Sequence, residues 1–181
     1  NFGGSRAPEV AVLLAGPDGA ARVVVVDSGR GRRLTAFSLS GSSAYLDIEA
    51  ITGAGGAPTL AVLTVGANGA TGVVKRDAAT GARQGRVAFG PGLTPTALLA
   101  VPSGDRAQLV VLANDASGAL RAVARNADDG RLVRRFALAP DLSAGRAAFV
   151  PGPGGDPLVV AVASNLDAGG IYLVAFDPTG G

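Results

Sequence analysis

Two carboxylates, Asp47 and Glu49, stand two residues apart in the run Ala44–Ile51, AYLDIEAI. In an extended strand such a pair points to one face. It could hold a cation or do acid–base work, or it could sit in solvent or pair with arginines. Hydrolysis by two carboxylates would also need a cleft that fixes their separation. A second chemical group is the arginines Arg30, Arg32, Arg33, Arg131, Arg134 and Arg135. They could form a basic rim for acidic glycans or nucleic acid, or act as gatekeepers that keep strand edges from pairing with other chains. No aromatics are interleaved with them, so the stacking surface of a single-strand binder is missing, and no nucleic-acid partner is expected. The chain contains no His, Cys, Met or Trp. That excludes a Ser–His–Asp triad and a Cys nucleophile, and with them disulfides and thiolate metal sites. The Gly-rich GAGG at Gly53–Gly56 lies between two strands, so it offers no helix N-terminus to a phosphate. The expectation is a non-enzyme with no cofactor.

These residues sit on a pattern written four times. From Val10, a turn glycine (Gly19) follows nine residues on, an aspartate (Asp27) seventeen on, and a closing glycine (Gly31) four after that. Leu60 is followed by Gly69, Asp77 and Gly81 at the same offsets. Leu109 is followed by Gly118, Asn126 and Gly130, with Asn in place of Asp. Leu158 leads to Gly169, Asp177 and Gly181 once two inserted residues are allowed. The starts lie 50, 49 and 49 residues apart, a period that means a propeller, a solenoid or an array.

Each unit opens with a continuously apolar run, VAVLL, LAVLT, LVVLA or LVVAV, as expected of a strand buried on both faces. Asp18-Gly19, Asn68-Gly69 and Ser117-Gly118 supply tight hairpins. A second strand then stops at the Asp-x-x-x-Gly turn, where the Asp or Asn side chain can cap its own turn. A third strand alternates Phe37/Leu39, Val87/Phe89 and Phe136/Leu138 with Arg or small polar residues, the mark of an outer strand. A fourth leads through Gly/Pro-rich loops into the next unit. The fold class is therefore all-β, a single repeat domain over 1–181 with units at approximately 1–43, 44–93, 94–142 and 143–181. In this register the places of Asp47 and Glu49 are held by Ala97/Leu99 and Arg146/Ala148.

The junctions GGSRAPEVAVL, GAGGAPTLAVL, SGDRAQLVVL and GPGGDPLVVAV resemble the FG-GAP or VCBS-type repeat of integrin-α-like propellers. The resemblance implies β-propeller blades of four antiparallel strands, with Ala44–Ile51, Pro95–Val101 and Ala144–Val150 innermost and the arginine-bearing strands outermost. It implies a secreted or cell-surface protein in binding or adhesion, with another protein or a glycan at the loops. In that family a loop often carries Asp-x-Asp-x-Asp-Gly for calcium. Here Asp105 and Asp156, with Glu9 at the end of another loop, are the only acids in these loops. Calcium takes about six to eight oxygens, so no metal site is expected.

Charge and length bound the partners further. The net charge is only +2, too balanced to imply a polyanion partner. No apolar run is longer than Leu158–Ala163, far short of the roughly 20 residues of a membrane-spanning helix. The register aligns Asn1 with Ile51 and Gly181 with Gly81, so the units hold three, four, four and three strands, about three and a half blades. Propellers need at least about four, so self-association or further blades are expected to cover the end faces. A self-assembling structural subunit is the main alternative function, and a glycan-processing propeller enzyme a lesser one.

Overall fold

The computed structural model describes residues 9–16, 20–39, 41, 43–51, 58–152, 156–165 and 169–179. Gly19, Gly181 and the Gly53–Gly56 run lie outside them. Among the described residues, fourteen strands form four antiparallel sheets. The first sheet holds β1 (Glu9–Ala15), β2 (Ala21–Asp27) and β3 (Arg32–Leu39). The second holds β4 (Ala44–Ile51), β5 (Thr59–Val65), β6 (Thr71–Asp77) and β7 (Arg83–Gly90). The third holds β8 (Leu93–Ser103), β9 (Arg106–Asp115), β10 (Leu120–Asn126) and β11 (Leu132–Ala139). The fourth holds β12 (Ser143–Pro151), β13 (Pro157–Asn165) and β14 (Gly170–Phe176). Strands follow chain order within every sheet, and the count is three, four, four, three. These are propeller-like blades that do not close on themselves.

The sheets stack face to face because their middle strands are apolar on both sides. In β5, Leu60 and Val62 join Val23 and Val25 of the first sheet in one buried cluster. The alternate residues Ala61 and Leu63 turn the other way, into a cluster with Leu109 and Val111 of the third sheet. Val110 and Leu112 in turn pack with Val159 and Ala161 of the fourth. Each sheet thus has a leading face, toward the sheet before it, and a trailing face, toward the sheet after it. Burying a Val or Leu side chain stabilises by about 1.5–3 kcal/mol, so these three interfaces hold the molecule together.

β4, β8 and β12 are edge strands that pack on one another, and β1 packs on β4. This places them on the inner side of the stack. The path into β8 shows how. Chain leaves β7 through Pro91 and Gly92 and starts β8 beside β6, where the Thr71 hydroxyl donates to the Leu93 carbonyl at 3.2 Å. It has reached β4 by Leu98, whose N–H donates to Asp47 Oδ2 at 2.9 Å. β8 therefore crosses the trailing face of the second sheet from its outer to its inner side.

Three expectations need correction. The runs VAVLL and LVVAV are not buried on both faces. Val10, Val12 and Leu14 are 48%, 39% and 49% exposed, and Val162 is 45% exposed, because an end sheet is covered on one side only. The fourth unit is also one residue out of the expected register. Val10, Leu60 and Leu109 pair with Val26, Arg76 and Arg125; the residue pairing at that level in the fourth sheet is Val159, with Phe176. Leu158 therefore lies one place earlier, and the hairpin that follows is one residue longer than its counterparts, not two. Finally, β8 and β9 run to 11 and 10 residues because only Gly104 and Asp105 separate them, which lengthens the strands beyond the apolar runs.

The burial contrast sets a stability test. Leu112→Ala, at a fully buried site, should cost about 2–5 kcal/mol, whereas Leu173→Ala, 75% exposed in the single chain, should stay within about 0.5 kcal/mol at dilutions where chains are separate. Urea unfolding of the two variants checks this, and equal losses would contradict the assigned faces.

Candidate functional site

The inner strands β4, β8 and β12 each carry a β-bulge at the same place in the repeat. The register shifts between Tyr45 and Asp47, between Pro95 and Ala97, and between Ala144 and Arg146. The bulged residues are therefore Leu46, Thr96 and Gly145. A bulge bends its strand and re-aims the neighbouring side chains. Here the three bulges surround one cavity of about 360 Å³, lined among others by Asp47, Glu49, Thr96, Leu98 and Arg146. The carboxylate pair does share a face, as the spacing implied, since Asp47 and Glu49 lie opposite Leu63 and Ala61. Both acids are half-buried.

The two acids differ in chemistry. Asp47 accepts the Ile48 N–H through Oδ1 and the Leu98 N–H through Oδ2, each at 2.9 Å. It is a structural tie between the second and third sheets, held by backbone donors. Glu49 is pushed up to about 7 from an ordinary carboxylate value of 4.5, first by burial and then by the negative charge of Asp47. It exchanges a proton near neutrality, beside a fixed anion and across a polar cavity from the strand that carries Arg146. That arrangement can hold and release a proton or accept a polar ligand group. Among the described residues no group of three or more His, Cys, Asp or Glu could hold a metal ion.

The described turn residues cap or close their own turns. Asp27 Oδ1 accepts the N–H groups of Gly29 and Arg30 at 2.9 and 3.1 Å. Asp77 Oδ1 accepts the N–H and hydroxyl of Thr80, both at 2.8 Å, and these bonds hold its carboxyl below the usual range. Asn126 Oδ1 accepts the Asp128 N–H at 2.7 Å, and Asp177 Oδ1 the Thr179 N–H at 2.7 Å. Gly31, Gly81 and Gly130 close three of these turns at φ of 62°, 74° and 72°. Gly69, Gly118 and Gly169 take the left-handed conformation in the hairpins. Gly81 carries a second constraint, because a Cβ there would run into the Phe37 ring of the first sheet.

Several polar residues escaped the sequence reading. Asp115 accepts from the Ser117 N–H and hydroxyl, the Ala119 N–H and Arg121 Nε. The bonds from Ser117 and Arg121 hold its carboxyl well below the carboxylate range. The one lysine, Lys75, donates from Nζ to the carbonyls of Ala127 and Asp128 at 2.6 and 3.2 Å, bridging the second sheet to a turn of the third. Asn114 bridges the third to the fourth through the Leu142 carbonyl at 2.6 Å. Only the polar character of these residues inside apolar strands could have flagged them. Arg30, Arg32, Arg33, Arg131, Arg134 and Arg135 are all exposed. Arg134 lies over the Phe136 ring at 5.4 Å.

No helix among the described residues is long and apolar enough to cross a membrane. No protein-family model and no curated protein sequence matches this chain.

Three measurements follow. Because the folded protein holds the Glu49 proton more tightly than the unfolded chain, the stability from that proton is full at low pH. It falls as pH rises from about 4.5 through about 7; Glu49→Gln should flatten unfolding free energy over this window, and an unchanged slope would place the proton elsewhere. Gly81→Ala should destabilise more than Gly69→Ala, which meets backbone strain of about 1–2 kcal/mol alone, since nothing lies within 4 Å of a Cβ at Gly69. Millimolar calcium or chelator should leave Tm unchanged, whereas a tight site would add ~4 kcal/mol at a thousandfold excess over its Kd.

Proposed function

We propose that this chain is a non-catalytic interaction scaffold of a secreted or cell-surface protein, built from FG-GAP or VCBS-type blades. One observation carries the reading: eight of the described polar side chains are engaged in holding the fold. Asp27, Asp77, Asp115, Asn126 and Asp177 bind their own turns. Asp47, Lys75 and Asn114 join one sheet to the next. A hydrolase of the two-carboxylate kind needs both acids free to face a substrate, and Asp47 is tied to backbone N–H groups on both oxygens. What is left for recognition is the loops and the cavity around Glu49, with a protein or glycan as ligand. A second reading, a self-assembling structural subunit, is favoured by the exposed apolar residues of the two end sheets.

A glycan array probed with the chain and with Glu49→Gln tests the first reading, run beside an assay for released sugar. The scaffold reading expects binding without product. Product formation abolished by Glu49→Gln would make the chain an enzyme instead.

A further inference from the structure

We propose that the trailing face of the fourth sheet docks on the leading face of the first sheet of a second copy, so that the chain associates head to tail. The inference deepens the self-assembly reading and rests on it. Its basis is a comparison of matched positions. On the trailing face, the ladder sets Leu173 opposite Val162, the place that Val23, Val73 and Ala122 hold opposite Leu13, Leu63 and Leu112. Val23, Val73 and Ala122 are 0% exposed; Leu173 is 75% exposed. Ile171 holds the place of Ala21, Thr71 and Leu120. Those three are 3%, 0% and 0% exposed, and Ile171 is 79% exposed.

The leading face of the first sheet shows the same contrast. Val10 is 48% exposed where Leu60, Leu109 and Val159 are all 0%. Val12 and Leu14 are exposed where Val62, Val111, Ala161, Ala113 and Ala163 are buried.

The three internal interfaces say what belongs on each face. In every one, a trailing face receives a leading face, and two trailing faces never meet. The fourth sheet therefore calls for a leading face, and the uncovered leading face among the described residues belongs to the first sheet. The faces match in kind: Val160, Val162, Ile171 and Leu173 against Val10, Val12 and Leu14, with one arginine beside each patch, Arg146 opposite Val162 and Arg22 opposite Leu14. Exposed patches of this sort mark interaction sites. A contact between two different faces closes into a ring or runs on as an open chain. Two copies would bring eight sheets, within the range of about four to eight blades seen in closed propellers.

The test is the mass of the full chain by light scattering across a concentration series. Two variants accompany it, Val12→Asp/Leu14→Asp on the leading face and Ile171→Asp/Leu173→Asp on the trailing face. All four positions are exposed in the single chain, so circular dichroism should match the parent, and so should melting at dilutions where the parent is a single chain. The parent should rise above 17.7 kDa with concentration. Each variant should weaken association about a hundredfold or more. An equimolar mixture of the two variants should recover a two-chain species, since one intact leading face and one intact trailing face remain. A parent chain that stays at 17.7 kDa throughout would overturn both the proposal and the self-assembly reading. A variant that alone keeps the parent's mass, or a mixture that recovers nothing, would overturn head-to-tail docking and leave self-assembly through another surface.

Discussion

Everything in this structure depends on strands that are apolar on both faces. A strand such as β5, with Leu60 and Val62 on one side and Ala61 and Leu63 on the other, all fully buried, cannot sit in a sheet with a solvated face. It forces its sheet between two others. Once that holds for one unit it propagates through the array, since each covering sheet is made from the same repeat. The tight turns and short connections are consequences. Among the described residues they build one thin sheet after another without a helix or a long loop to cover either face.

Apolar packing alone would let such sheets slide, because Val, Leu and Ala surfaces offer little to fix an offset. The polar side chains that cross between sheets supply the missing specificity. Asp47 takes the Leu98 N–H, Thr71 reaches the Leu93 carbonyl, Lys75 reaches Ala127, and Asn114 reaches Leu142. All four meet backbone groups beyond their own sheet, two in strands of the next sheet (Leu98 and Leu93) and two in turns (Ala127 and Leu142). A backbone partner fixes the strand's offset whatever side chain it carries, so each bond selects one register. Leaving such a buried donor or acceptor unmet would cost about 1–3 kcal/mol, and a slip of one residue would do that.

Much of this was legible in the sequence because turn residues and apolar runs are local signals. The strand count per sheet, the span of β4, the shared face of Asp47 and Glu49, and the turn roles of Asp27, Asp77 and Asn126 all follow from spacing. Burial at the ends did not follow. VAVLL and LAVLT look alike as runs, yet Val10 is exposed and Leu60 is not. What covers a face is a property of the neighbouring sheet, and the run itself carries no mark of it. The offset of the fourth unit was hidden for a related reason: Leu158 and Val159 are both apolar, so only the ladder tells which begins the matched register. The bulges at Leu46, Thr96 and Gly145 have no common residue type, so no pattern announced them.

The cavity shows how such an array acquires chemistry. Its frame is the repeated part, three bulges in matched positions on β4, β8 and β12. Its functional groups are the unrepeated part. At one matched position stand Asp47, Ala97 and Arg146, and two residues on stand Glu49, Leu99 and Ala148. The backbone requires only that these places be strand, so their side chains are free to differ. Asp47 has been taken into the frame by its bonds to Ile48 and Leu98, and its fixed charge then acts on Glu49. Of the pair, Glu49 is the group whose ionisation lies near neutrality, and it owes that to burial made by the frame and to charge made by its neighbour. The repeat therefore builds the environment, and a departure from the repeat places in it the one side chain that responds.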